Sequence, residues 1–177
     1  METAKRVRLY KEAKISTDSA TIYRNEEDIG LALEELCPLQ GIKRSDLFLT
    51  SKLAPKDQGY DSCVSSVRKS LQNLRTDYLD LYLIHWPGAG GIKVDDPSNA
   101  TRRLQSWKAL EHCYQMGLVR AIGVSNYCIH HLQEMEAYAE INPHVLQVFR
   151  VASSNTLWEF HFLGRLLYQP ETNQPIY

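Results

Sequence analysis

No run of apolar residues in this 177-residue chain approaches the roughly 20 that a bilayer-spanning helix requires. The opening Met-Glu-Thr-Ala-Lys-Arg stretch lacks the apolar centre of a secretory leader. Neither charge sign is in excess: 20 basic and 21 acidic residues leave a net charge of −1. That balance removes the electrostatic basis for binding nucleic acid or an anionic membrane. A small phosphate-bearing ligand needs only local positive charge and stays open. The four cysteines, Cys37, Cys63, Cys113 and Cys128, form no C-x-x-C pair, and none stands at metal-ligand spacing with a histidine. A zinc centre is therefore not expected, and no metal is assigned. Each cysteine falls within or beside a helical pattern and reads as a reduced, half-buried thiol, so the expected compartment is cytoplasmic. No G-x-G-x-x-G follows a strand-like run and there is no P-loop, which weakens the case for an open dinucleotide-binding sheet.

What is present is an alternation. Hydrophobic residues make up 44% of the chain and charged residues 23%, ordinary values for one soluble globular domain. Ile29, Ala32, Leu33 and Leu36 recur at helical spacing after Asn25, a candidate N-cap, and Glu26, Glu27 and Asp28 suit the first turn. A strand-like run at 47–52 follows, then a helix from about Asp61 with Val64, Val67, Leu71 and Leu74 on one face. Residues 78–85 read as a strand buried on both faces. Helices at 101–116 and 130–139 flank a strand at 119–124, and Val145–Val148 reads as another strand. Such alternation implies a parallel sheet with helical crossovers, and an incomplete (β/α)8 barrel fits it best. Beyond 149 the pattern breaks. There Asn155 could cap a short helix carrying Leu157, Phe160, Leu163 and Leu167, and the end reads as a tail.

Polar groups stand at the downstream ends of these runs: Asp18 and Tyr23, then Lys52, His85, and Ser125 with Asn126. In a parallel (β/α) array all strand exits open on one face. Taken singly, each residue has a structural reading: a turn cap, a packing residue, a surface charge, a core imidazole. Taken together they make a proton donor. A lysine beside a tyrosine favours phenolate and lowers its pKa, a carboxylate orients the lysine, and a neutral histidine directs a carbonyl oxygen toward the phenol. Protonation of an oxygen gaining negative charge during carbonyl reduction is such chemistry, and a nicotinamide cofactor is implied.

Asp18-Ser-Ala-Thr-Ile-Tyr23-Arg-Asn-Glu-Glu-Asp-Ile-Gly30 resembles the D-(T/S)-A-x-x-Y-x-N-E-x-x-(V/I)-G signature of the aldo-keto reductases. Leu47-Phe-Leu-Thr-Ser-Lys52-Leu53 is similar to that family's lysine-bearing strand. Leu74 to Pro87 is similar to its L-x-x-D-Y-(L/V)-D-L-(Y/F)-L-I-H-x-P run, and Gly117 to Tyr127 to its G-x-(V/I)-(R/K)-x-I-G-(V/L)-S-N-(F/Y) run. The resemblance covers residues 16–148 and implies a TIM-type barrel that reduces aldehydes or ketones with NADPH. By the same resemblance Tyr23 would be the general acid, Lys52 would lower its pKa, Asp18 would pair with Lys52, and His85 would orient the substrate carbonyl. Ser125, Asn126 and Gln147 would hold the nicotinamide carboxamide, and Trp86 would line the substrate pocket.

The family pattern is lost on both sides of this block. Residues 1–15 and 149–177 are divergent, which divides the chain into an N-terminal segment, a partial barrel at 16–148 and a C-terminal tail. About five of eight barrel strands are expected, and the basic loop that grips the 2′-phosphate of NADPH is not found. An alternative exon, a frameshift or a gene-model error would each produce that pattern. The alternative reading is a catalytically impaired fragment, at most a binding module. Two open sheet edges would favour self-association.

Overall fold

The computed structural model describes residues 15–148 and the backbone of 149 and 160–163. Six strands lie in sequence order: β1 (Ile15–Asp18), β2 (Leu47–Leu53), β3 (Leu81–Ile84), β4 (Ile122–Ser125), β5 (Val145–Phe149) and β6 (Phe160–Leu163). The first five pair in parallel, each with its neighbour in sequence. A helix joins each parallel pair: α1 (Glu26–Leu39), α2 (Tyr60–Asn73), α3 (Ser98–Gln115) and α4 (Ile129–Glu136). Parallel strands in unbroken order with one helix per crossover are the repeating unit of a (β/α)8 barrel, of which five strands stand here.

Strand periodicity sorts the side chains onto two faces. Leu47, Leu49, Leu53, Tyr82, Ile84, Ile122 and Val124 pack outward against helix residues such as Val67, Leu71, Trp107 and Leu110. Phe48, Leu81, Leu83 and Ala121 form a separate cluster on the other face, against Val145. Both faces are thus apolar, and all seven residues of β2 are buried. Continuing the inner alternation past each strand brings up Lys52 after Phe48 and Thr50, and His85 after Leu81 and Leu83. The fold sets the polar groups at the strand exits in this way.

The opposite end of the sheet is held by a buried carboxylate. Asp80 accepts from the Leu49 N–H at 3.0 Å and from Arg44 at 2.8 Å, with Arg120 at 3.5 Å. The two guanidinium groups stand over the Tyr78 ring, 3.9 and 3.7 Å from its centroid. Leu79 and Val119 add an isolated parallel bridge below β3 and β4.

Several expectations need correction. The regular part of the 78–85 strand is Leu81–Ile84, and that of the 119–124 strand is Ile122–Ser125. On α1 the inward line is Glu26, Gly30, Leu33 and Cys37 with Ile29, whereas Ala32 and Leu36 are exposed. The contact with α2 fixes this phase, because a Cβ on Gly30 would lie 2.1 Å from the Asn73 carbonyl oxygen. Asn25 occupies the N-cap position, but its side chain makes no capping bond and accepts from the Ser19 hydroxyl at 2.7 Å. Glu26, one residue on, is buried and bonds Ser51 at 2.5 Å and Asn73 at 3.2 Å, joining α1 to β2 and α2. The helix expected around Leu157–Leu167 is not what forms at 160–163, which instead pair antiparallel with β5. The β5 edge offers unpaired backbone groups, and satisfying them there outweighs helical periodicity. The rest of the tail and residues 1–14 lie outside the described residues. No helix among the described residues is long and apolar enough to cross a membrane.

Candidate active site at the strand exits

The Lys52 ammonium, buried at the end of β2, donates to Asp18 Oδ1 at the end of β1 and to the Ser19 carbonyl at 3.1 Å. The second Asp18 oxygen accepts from Gln147 Nε2 at 2.9 Å, so the carboxylate ties β1 to both β2 and β5. Tyr23 follows in a short 3-10 turn, Thr21–Tyr23, held to β2 by a bond from the Thr21 hydroxyl to the Lys52 carbonyl at 3.1 Å. Its ring faces Lys52 Nζ at 5.5 Å and the His85 ring edge-on at 5.7 Å between centroids. Trp86 stacks on the outer side of His85, 6.2 Å between centroids, and is half exposed at the rim. Gln58 steadies this rim by donating to the Trp86 and Gly88 carbonyls at 2.8 and 3.0 Å. Ser19, Thr21 and Gln58 act here through backbone groups, which no motif spacing announces.

On the other side, Asn126 takes a left-handed backbone, φ 60°, at the turn out of β4. Asparagine tolerates that region better than most side chains. Its N–H bonds the Gln147 carbonyl at 2.9 Å. Its side-chain amide donates to the His85 carbonyl at 2.9 Å and to Ser125 Oγ at 3.2 Å. Ser125 and Gln147 are buried, and the β4–β5 register sets them opposite each other. Asp18, Tyr23, Lys52, His85, Trp86, Ser125, Asn126 and Gln147 are therefore brought together at one end of the sheet.

Electrostatics separates the two titratable rings. Burial and the neighbouring Lys52 charge, only partly opposed by Asp18, push the His85 imidazole down to about 4. It is neutral near pH 7, and its Nδ1 is buried without a hydrogen-bond partner among the described residues. Tyr23 moves opposite to expectation: desolvation, and then the Asp18 carboxylate, raise its pKa. Loss of water around the phenol is the larger cause, with the Lys52 ammonium held on Asp18.

The remaining hydrogen-bonding capacity suits a carboxamide. Asn126 commits both side-chain N–H groups and Gln147 one of its two, both keep side-chain carbonyl oxygens as acceptors, and the Ser125 hydroxyl keeps its proton to donate. One donor and two acceptors complement the carbonyl and NH2 of a primary amide.

Residues 2–150 match the model of the aldo/keto reductase family, and the chain belongs to that family. It is 47% identical over 133 residues to glyoxal reductase of Bacillus subtilis, a match covering 75% of this chain and 43% of that protein. The chain thus spans less than half the length of this relative. Among solved structures, an aldo/keto reductase from Brucella melitensis superposes with a TM-score of 0.67 at 34% identity, covering 84% of this chain and 53% of the other. An aldo-keto reductase of Bombyx mori in complex with NADP gives a TM-score of 0.66 at 30% identity, covering 76% and 43%. These neighbours agree with the incomplete (β/α)8 barrel.

One cluster departs from the expectation that no cysteine stands at metal-ligand spacing with a histidine. At the N-terminus of α4, Cys128 Sγ lies 3.0 Å from Nδ1 of both His130 and His131. The spacing Cys-x-His-His, closed by the first helical turn, was the signal in the sequence. The cysteines also differ in burial: Cys63 and Cys113 are buried, Cys37 is intermediate and Cys128 is exposed.

Proposed function

We propose that the chain reduces aldehydes or ketones to alcohols with NADPH, using Tyr23 as the general acid. The observation that carries this reading is the convergence of Tyr23, a Lys52–Asp18 pair and a neutral His85 at adjoining strand exits. Ser125, Asn126 and Gln147 would hold the carboxamide of the nicotinamide, which when bound supplies the hydride. The phenol, held protonated by its raised pKa, gives its proton to the carbonyl oxygen as that oxygen becomes negative. Neutral His85 offers a ring nitrogen to the same oxygen and orients it without adding charge. The Lys52 ammonium stabilises the developing tyrosinate, and Asp18 fixes the ammonium in place. Trp86, at the rim beside His85, bounds the side from which a small carbonyl substrate enters.

The reductase unit in this reading is residues 16–148, flanked by segments 1–15 and 149–177. Its compartment is the cytoplasm, in keeping with free rather than bridged cysteines. NADPH consumption by the full chain with a simple aldehyde tests the assignment. Tyr23→Phe is expected to slow it by about a hundredfold or more, since positioned acids contribute on that order. Equal rates in the two proteins would remove Tyr23 from its role.

A second reading rests on β6. Its antiparallel pairing occupies the β5 edge from which further parallel strands would continue a barrel. This favours a binding module of the same ancestry that takes up no NADPH and self-associates through β1, which among the described residues pairs only with β2. Absence of saturable NADPH binding by folded protein would support it.

A further inference from the structure

Three metal-ligating side chains cluster outside the strand-exit site. Cys128, His130 and His131 occupy the N-cap and first turn of α4, and one ligand atom from each lies within 4.8 Å of the others. Cys128 Sγ is 3.0 Å from His131 Nδ1, and 3.0 and 3.8 Å from Nδ1 and Nε2 of His130. The two imidazoles stand 3.9 Å apart between centroids. The Cys128 N–H donates to His131 Nδ1 over 3.3 Å, so that nitrogen is unprotonated, and its lone pair passes from the N–H to the ion on binding. Cys128 and His130 are exposed and His131 is partly so, which gives an ion free access from solvent.

We propose that Cys128, His130 and His131 form a site for a borderline-soft transition metal, with Zn2+ its most suitable occupant. One sulfur and two imidazole nitrogens are a zinc donor set, and three protein ligands leave a fourth position for water or an exogenous ligand. With bonds of about 2.3 Å to sulfur and 2.0 Å to nitrogen, tetrahedral geometry spaces sulfur and nitrogen by about 3.5 Å. The ligand atoms therefore open by about 0.5 Å on binding, which exposed, rotatable side chains allow. On coordination the thiol releases its proton to solvent and the imidazoles bind through neutral nitrogens. The site stands two residues beyond Asn126, so occupancy clamps the β4–α4 turn that also shapes the carboxamide cradle.

The test uses the reduced, metal-stripped full chain. Co2+ is expected to bind at one equivalent with a thiolate-to-cobalt charge-transfer band, and Zn2+ is expected to displace it. Cys128→Ser abolishes the band, His130→Ala weakens Zn2+ binding by about tenfold or more, and Cys37→Ser changes neither. An independent readout on the unaltered chain is alkylation: one equivalent of Zn2+ is expected to slow modification of Cys128, mapped by mass spectrometry, by about tenfold. Absence of saturable metal uptake, a band retained in folded Cys128→Ser, or alkylation unaffected by Zn2+ would each overturn the site.

Discussion

His85 carries the clearest solution signature among the single residues. Its folded pKa of about 4 lies below the ordinary value of 6.5. Well above pH 6.5 neither folded nor unfolded chain binds this proton, so the group has no effect on stability there. As pH falls toward 4 the unfolded chain takes the proton and the folded one does not, so stability declines across that window. The expected loss from this residue is about 2 kcal/mol between pH 7 and pH 5. Denaturant unfolding at the two pH values measures it, and His85→Gln should remove that part of the decline. Tyr23 makes the complementary prediction. A general acid with a raised pKa stays protonated at neutral and mildly alkaline pH, so kcat/KM for reduction should hold up to about pH 10 and fall only beyond it. A fall centred near pH 8 would mean that Lys52 lowers the phenol after all. The positions of Lys52 and His85 were readable from the sequence, because a period of two decides which face each strand residue serves. The sign of the Tyr23 shift was not, because it turns first on how far the folded chain takes the phenol out of water, which residue order does not state.

Among the elements, α1 shows where pattern reading stops. Its leucines repeat at helical spacing, but spacing alone does not say which of several apolar lines faces inward. Leu31, Leu36 and Leu39 are exposed, while Gly30 lies against the last turn of α2. Gly30→Ala makes the point measurable. In an open helix this change stabilises by about 1 kcal/mol. Here the added methyl meets the Asn73 carbonyl, so a destabilisation of about 2 kcal/mol or more is expected from thermal or denaturant unfolding. A neutral or stabilising result would show that α1 and α2 do not pack this closely. The strands were more legible than the helices, since β2 and β3 are apolar on both faces as only a doubly covered parallel sheet permits. Their ends were less so: tertiary contacts with neighbouring strands, not composition, set where β3 begins. The antiparallel β6 was illegible for a related reason, because its partner is an edge created by the fold and not a feature of its own sequence.

For the whole molecule, the described residues assemble a proton-transfer set and a carboxamide cradle on one rim of a five-stranded parallel array. The buried Asp80–Arg44 pair closes the opposite rim. Asp80→Ala should cost about 2–3 kcal/mol, since it strands a buried backbone N–H and an arginine at once. Activity per folded molecule should survive that change, because the site lies at the other end of the strands. The measurement that bears most directly on the reductase assignment is equilibrium titration of soluble, monodisperse full chain with NADPH, followed by tryptophan fluorescence, with Trp86 at the rim as reporter. Saturable quenching in the micromolar range is predicted, weakened about tenfold by Gln147→Ala and little changed by Tyr23→Phe. Folded protein that shows no saturable quenching and no NADPH binding by calorimetry would contradict the assignment and leave the binding-module reading.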